Sequence, residues 1–326
     1  MTKSFATRSI AEGALLAVIT AVLASIGTLI PFASIITYLV VAVPIIVLIV
    51  RNNLTIGILA SFVAAFLIAI FIGPLAATFF YIQFMGVALV YGAMIKKNFG
   101  TSKILLAGTI VSVISTIILL SLALFVADLS LEDQKQAIYD TIDYSIGFYK
   151  ETGMMENFKS QGLDEEDVRQ LLTETIDLFL KALPTILIMS GLIAAFTNFL
   201  MARLALKKLG IEPPYLAPFS QWRLPWYIIW GLIIGWSGYL LGDYLDINSL
   251  RIIGQNIMIA YGMILFVLGL SVEFYFLRKY RVGLFTRMAI AFFIIFMFNY
   301  VILLTIGIGM FDLVFDYRKL DQEKVA

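Results

Sequence analysis

The sequence predicts an all-α, polytopic transmembrane helix bundle of about nine spans, eight being the alternative count, with an extracellular helical hairpin as an insertion. Three observations predict it. Hydrophobic residues make up 61% of the 326-residue chain and the mean hydropathy is +0.97, whereas a soluble domain is roughly 45–50% apolar. Charged residues make up only 14% and cluster between long apolar runs. Lysines and arginines alternate between successive connections, dense in one and sparse in the next. A soluble core of this length cannot hide such an apolar excess, so lipid is the solvent for most of the chain.

A span needs about 20 apolar residues. The runs that qualify are 9–30, 34–50, 54–72, 74–95, 103–127, 182–206, 226–241, 252–277 and 284–310. The second and seventh are short, which fits a small tilt or a partly re-entrant path. Lys3 and Arg8 precede the first run, which lacks an A-x-A cleavage site before a polar start. It reads as a retained first helix.

The basic residues set the orientation. With the N-terminus cytoplasmic, the inner segments hold Arg51, then Lys96, Lys97 and Lys103, then Arg203, Lys207, Lys208 and Arg223, then Arg278, Lys279, Arg281 and Arg287. The outer connections hold few, Arg251 being the exception. This places a multi-pass protein in the cell membrane and puts the polar tail, 311–326, outside.

The chain divides into five N-terminal spans (1–127), an acidic insertion (128–181), a sixth span (182–206), an interfacial segment (207–225), three further spans (226–310) and the tail. The insertion holds thirteen acidic residues against five basic, a net of −8. Ser130 through Asp133 has the pattern of a helix N-cap. Ile138, Ile142, Ile146 and Tyr149 recur at helical spacing. Gly162 breaks the run, and Asp164 starts a second helix through Leu171, Leu172, Ile176 and Leu180 into the sixth span. The result is an outer helical pair, read either as a solvated cap or as a receiver for a partner. Segment 207–225 holds Pro213, Pro214, Pro218 and Pro225 among Tyr215, Phe219 and Trp222. It reads as a belt along the cytoplasmic surface, or as a docking surface for a cytoplasmic protein.

Several features are candidates for function. Gly13, Ala17, Ala21 and Ser25 form a small-residue stripe on the first helix, suited to close helix approach in lipid. It serves either packing inside the same bundle or docking of another subunit. Similar stripes occur at Gly57/Ser61/Ala65, Gly191/Ala195 and Gly231/Gly235. Gln83, Asn198, Glu273 and Asn299 are polar groups inside spans, where such residues face protein or water. Asn198 and Asn299 suit interhelical hydrogen bonds. Glu273 is within reach of Arg278 and Lys279, and Glu12 lies one turn after Arg8. Gln83, with Tyr81 and Thr78 nearby and Tyr38 opposite on the second span, fits a small-molecule pocket.

The chemistry the sequence lacks is also informative. There is no Cys and no His, which leaves no thiol or imidazole chemistry and no zinc site of the usual ligands. No metal or cofactor is expected. A net charge of +1 gives no footprint for nucleic acid. No phosphate-loop, nucleophile-elbow or H-E-x-x-H motif is present, so the expectation is a non-enzyme that does not hydrolyse ATP itself.

The first six spans resemble the substrate-binding S components of energy-coupling-factor vitamin transporters. The resemblance rests on a six-helix unit starting inside and on the first helix, Ala11-Glu-Gly-Ala-Leu-Leu-Ala17-Val-Ile-Thr-Ala21. It implies that Ala17 and Ala21, which match that family's A-x-x-x-A pattern, contact a transmembrane coupling subunit. Over its full length the chain resembles the YybS-like membrane proteins of Gram-positive bacteria, through Pro218-Phe-Ser-Gln-Trp222-Arg-Leu-Pro225 and the order of spans. It departs from the S-component pattern by the acidic insertion and the three added spans. Two readings follow: a small-molecule-binding subunit working with separate coupling and ATPase subunits, or a non-transport scaffold or sensor.

Overall fold

The computed structural model describes residues 3–128, 130–280 and 297–319, with isolated positions between 283 and 292. The described elements are helical. The chain forms two compact units. The first contains residues 1–176 and 186–215, and the second 177–185 and 216–326.

The first unit opens with α1 (Lys3–Leu29), α2 (Pro31–Val40) and α3 (Val43–Arg51). The second span is thus two helices broken at Val41–Ala42, where Pro44 enters the first turn of α3. Together they still form an apolar crossing over Phe32–Arg51. α3 is the centre of the unit: Ala42, Ile45, Ile46, Leu48 and Ile49 are fully buried. Around it lie α4 (Leu54–Phe71), started by the Asn53 side chain accepting from the Ile56 N–H, and α6 (Gly86–Lys96). Ile49 fits between Gly57 of α4 and Gly92 of α6; a Cβ at either glycine would lie 2.1 or 2.6 Å from it. Such close approach is what holds helices together in lipid, where burying apolar surface gives no gain.

The fourth span comprises α5 (Pro74–Phe80), a π-helical turn (Tyr81–Met85) and α6. α7 (Thr101–Val126) follows. The Tyr91 hydroxyl of α6 donates to the Ala195 carbonyl at 2.8 Å, and its ring passes over Gly108 of α7.

The insertion folds as expected, into α8 (Leu131–Glu151), a short α9 (Met154–Ser160) and the start of α10 (Glu165–Lys208). Ser130 with Asp133, and Asp164 with Asp167, form complete capping boxes. Ile142, Ile146, Met155 and Val168 make a small core with Tyr139, Tyr149 and Phe158 packed against it. Two ion pairs, Lys150–Glu165 and Arg169–Asp143, fasten the pair on its outside. α10 has 44 residues, so it is about 66 Å long and carries the second hairpin helix straight into the sixth span.

The second unit contains 3₁₀ turns at Phe219–Gln221 and Trp226–Ile228, then α11 (Ile229–Tyr244), α12 (Asn248–Lys279) and α13 (Phe298–Phe315). α11 and α12 meet at glycines: a Cβ on Gly254 would lie 2.2 Å from the Tyr239 nitrogen, and one on Gly242 2.3 Å from the Arg251 nitrogen. α12 and α13 meet in the same way at Gly269 and Gly309. Among the described residues, seven helices are long and apolar enough to cross a membrane. α11, with 16 residues, is not among them, and α13 adds a shorter apolar helix over Tyr300–Phe315. The first half of the expected ninth span lies outside the described residues.

The tail is where the expected topology fails. Arg318 Nη1 donates to the Ser220 carbonyl at 2.8 Å and Nη2 to the Trp222 carbonyl at 2.7 Å. The tail and segment 207–225 were expected on opposite sides of a hydrocarbon core about 30 Å thick. Groups in hydrogen-bond contact lie on one side, so α13 and the start of the tail return to the interfacial segment.

Candidate functional site

The π-helical turn places an extra residue in one turn of the fourth span. Such turns free a backbone carbonyl and re-aim side chains, and they recur at functional sites. Gln83 sits in the middle of it. Its Nε2 donates to the Tyr38 hydroxyl of α2 at 3.1 Å. Tyr81, at the start of the turn, stacks on Phe62 of α4 at 5.2 Å, and the Ser61 hydroxyl points to the Tyr81 oxygen at 3.5 Å. Tyr38 also meets Phe84 edge-on at 5.0 Å, and Phe80 packs on Phe84. Gln83 and Tyr81 are half-buried, and Ser61 is fully buried. The structure therefore joins Gln83 to an exposed Tyr38 on α2 and, separately, Tyr81 to Phe62 and Ser61 on α4.

Thr78 joins neither group: its hydroxyl donates to the Pro74 carbonyl one turn back. Ser61, the hydroxyl beside Tyr81, is hard to single out from sequence, because it also fits a small-residue packing stripe with Gly57 and Ala65. The Gln83 amide and the Tyr38 hydroxyl, beside Phe80 and Phe84, can hold a neutral hydrogen-bonding group on an apolar body. A carboxylate-based metal site needs charged oxygens, and no cluster of three metal-binding side chains occurs among the described residues.

The small-residue stripe of α1 has the intramolecular role. Ala17 is 0% exposed and Ala21 3%, and Gly13 faces Ile56 and Leu48. Ser25 is half-buried. α1 packs on α2, α3 and α4 through this face. The face it turns outward carries Leu15, Val18, Val22 and Ile26, with the small Ala11 and Ala14 near its start.

The remaining intramembrane polar groups also differ from expectation. Glu12 is held by Arg51 at 2.9 Å and by Asn52 at 3.0 Å, across to α3, instead of by Arg8 on its own helix. Glu273 accepts from Thr305 of α13 at 2.7 Å, so it binds inward instead of pairing with Arg278 or Lys279. The Lys279 ammonium lies over the Tyr275 and Phe276 rings. Asn198 donates to Ala194 on its own helix at 2.8 Å, and its Oδ1 is buried without a partner among the described residues. The side chain of Asn299 lies outside the described residues. In the second unit Asn256 of α12 meets Thr185 of α10 through both its side chain and its carbonyl, with Thr185 Oγ1 at 2.8 Å from Oδ1. Neither residue was singled out from sequence, although each is a polar group inside an apolar run, which is the signal that could have found them.

Comparison with known proteins gives the family. A family model described as "Predicted membrane protein (DUF2232)" matches residues 18–313. The chain is 23% identical over 279 residues to the "Uncharacterized protein YybS" of Bacillus subtilis (strain 168), covering 84% of this chain and 85% of that protein. No solved structure matches. An all-helical polytopic bundle whose model match covers most of its length is thus a member of the DUF2232 family of membrane proteins, to which the YybS-like chain of Bacillus subtilis is similar.

Proposed function

We propose that the protein is a small-molecule-binding membrane subunit of the S-component type, which works with separate coupling and ATPase subunits. The observation that supports this most is the Gln83–Tyr38 hydrogen bond set in a π-helical turn. A turn that breaks the regular helix costs backbone hydrogen bonding, and in lipid that cost has to be compensated locally. A Gln83–Tyr38 pair beside that turn is a polar feature that a ligand site would use. The lack of a phosphate-loop motif in the sequence fits the need for a separate ATPase. The coupling subunit would meet the outward face of α1, since the small-residue face is used internally.

The test is purification of the full chain in mild detergent, followed by mass spectrometry of retained small molecules and proteins. A retained ligand whose occupancy falls at least tenfold in Gln83→Leu, together with a co-purifying coupling subunit, is the expected result. Recovery of the folded chain with neither would sink the proposal.

A second reading as a scaffold or sensor draws on the hairpin, which has its own core and caps. Reversing the exposed charges of Glu132, Asp140 and Glu151 separates the two. Loss of a cellular phenotype with ligand retention intact favours the scaffold, and unchanged phenotype removes it.

A further inference from the structure

Tyr38 lies in the apolar crossing Phe32–Arg51, about 9 Å of helix from Phe32. It is 39% exposed, and Ile35 and Ile36 on the same helix are exposed with it. Gln83 lies in the π-helical turn of another crossing, Pro74–Lys96, and is half-buried. A surface exposed inside a crossing faces hydrocarbon. The bond from Gln83 Nε2 to the Tyr38 oxygen, at 3.1 Å, uses one N–H of the amide and one lone pair of the hydroxyl. The amide also has a second N–H and a carbonyl oxygen, and the phenol its own O–H. The Tyr38 O–H and Gln83 Oε1 therefore remain without a partner among the described residues. Turning the amide over exchanges the roles and still leaves a donor and an acceptor. Lipid tails can satisfy neither, so the pair calls for a hydrogen-bonding molecule.

Charge narrows the occupant. No Asp, Glu, Lys or Arg occurs between residues 31 and 50 or between 54 and 95. The two crossings thus offer no counter-charge beside the pair, and a charged group there is costly. The open groups narrow it further. One oxygen that both accepts and donates meets the Tyr38 O–H and Gln83 Oε1 together, and a hydroxyl is such a group. An ether or ketone oxygen only accepts, which leaves Gln83 Oε1 unmet. Phe84, edge-on to Tyr38 at 5.0 Å, and Phe80 beside it supply surface for an apolar body.

Resting on the reading of this pair as the ligand site, we propose that it binds the hydroxyl of an uncharged, membrane-soluble alcohol, either a prenyl alcohol or a diacylglycerol. The alcohol oxygen accepts from the Tyr38 O–H, and its hydrogen goes to Gln83 Oε1. The ligand reaches the pair from within the bilayer.

The experiment uses the full chain in detergent, with native mass spectrometry. The probes are geranylgeraniol and dioleoylglycerol, each with its methyl ether, and geranylgeranyl phosphate. The ethers keep the chain and the accepting oxygen but have no O–H, and the phosphate adds charge. At least one alcohol is expected to bind at least tenfold more tightly than its ether and than the phosphate. Tyr38→Phe, which keeps the ring against Phe84, is expected to remove that preference. Tighter binding of geranylgeraniol assigns the site to a prenyl alcohol, and tighter binding of dioleoylglycerol to a diacylglycerol. Equal binding of alcohols and ethers overturns the proposal, as does equal binding of the phosphate or a preference that survives Tyr38→Phe. If that variant does not fold, the probe series on the unsubstituted chain decides alone. An alcohol bound by a chain that co-purifies with no coupling subunit supports the alcohol site and removes the transport reading. A water-soluble ligand lost in Gln83→Leu, with no preference for alcohols, keeps the transport reading and overturns the alcohol site.

Discussion

Arg318 shows how far one residue can determine local architecture. It joins the tail to α13, to α12 and to the interfacial segment through five donors. Removing one partner of a buried pair leaves an uncompensated charge, at a cost of about 3–5 kcal/mol. Arg318→Ala is therefore expected to lower the unfolding midpoint of the purified chain and to open residues 216–225 to limited proteolysis. Arg318→Lys recovers only part of this, because an ammonium cannot reproduce the planar fork. At the hairpin, the Ser130 hydroxyl and the Ser130 backbone N–H both donate to Asp133 and hold its carboxyl below the usual aspartate range. A lowered folded value means that the cap stabilises α8 above the ordinary pKa of about 3.9 and is lost as pH falls through the lowered value. Protection of the amides of residues 131–134, taken relative to the intrinsic exchange rate at each pH, is expected to fall in acid, and Ser130→Ala, which costs about 1 kcal/mol of helix stability, should flatten that dependence.

Among the elements, glycines decide which helices touch. α11 and α12 cross with backbone nearly against backbone at Gly242 and Gly254. Gly254→Leu puts a side chain where the Tyr239 nitrogen already is. Overpacking of this kind costs about 1–3 kcal/mol or more, so a fall in detergent thermal stability is expected, larger than for Gly262→Leu, where the space is open. The π-helical turn is the other element-level feature. Its presence cannot be read from the run 74–95, because an inserted residue leaves hydropathy unchanged. The capping boxes of α8 and α10 could be read directly, since Ser130/Asp133 and Asp164/Asp167 carry the signal within four residues.

For the molecule as a whole, the lack of cysteine makes topology mapping direct. Single cysteines at Ser220 and Lys319 are expected to react with an impermeant reagent from the same side. One at Tyr144, an exposed hairpin residue, is expected to react from the side opposite Lys207. Reaction of Ser220→Cys and Lys319→Cys from opposite sides would contradict the Arg318 contacts.

The sequence by itself determined that this is a membrane-spanning helical bundle with an acidic helical hairpin. Hydropathy, caps and charge alternation are local properties, written in consecutive residues. It also singled out Gln83 and Tyr38, because a polar side chain inside an apolar run stands out without any fold. Only the tertiary structure decided what those groups meet. Glu12 turned to Arg51 and not to Arg8, the α1 stripe turned inward, and Arg318 carried the tail back to Trp222. Each of these depends on which helix lies beside which. In lipid that choice is made by the fit of glycine and side chain across an interface, and no one-dimensional pattern records it.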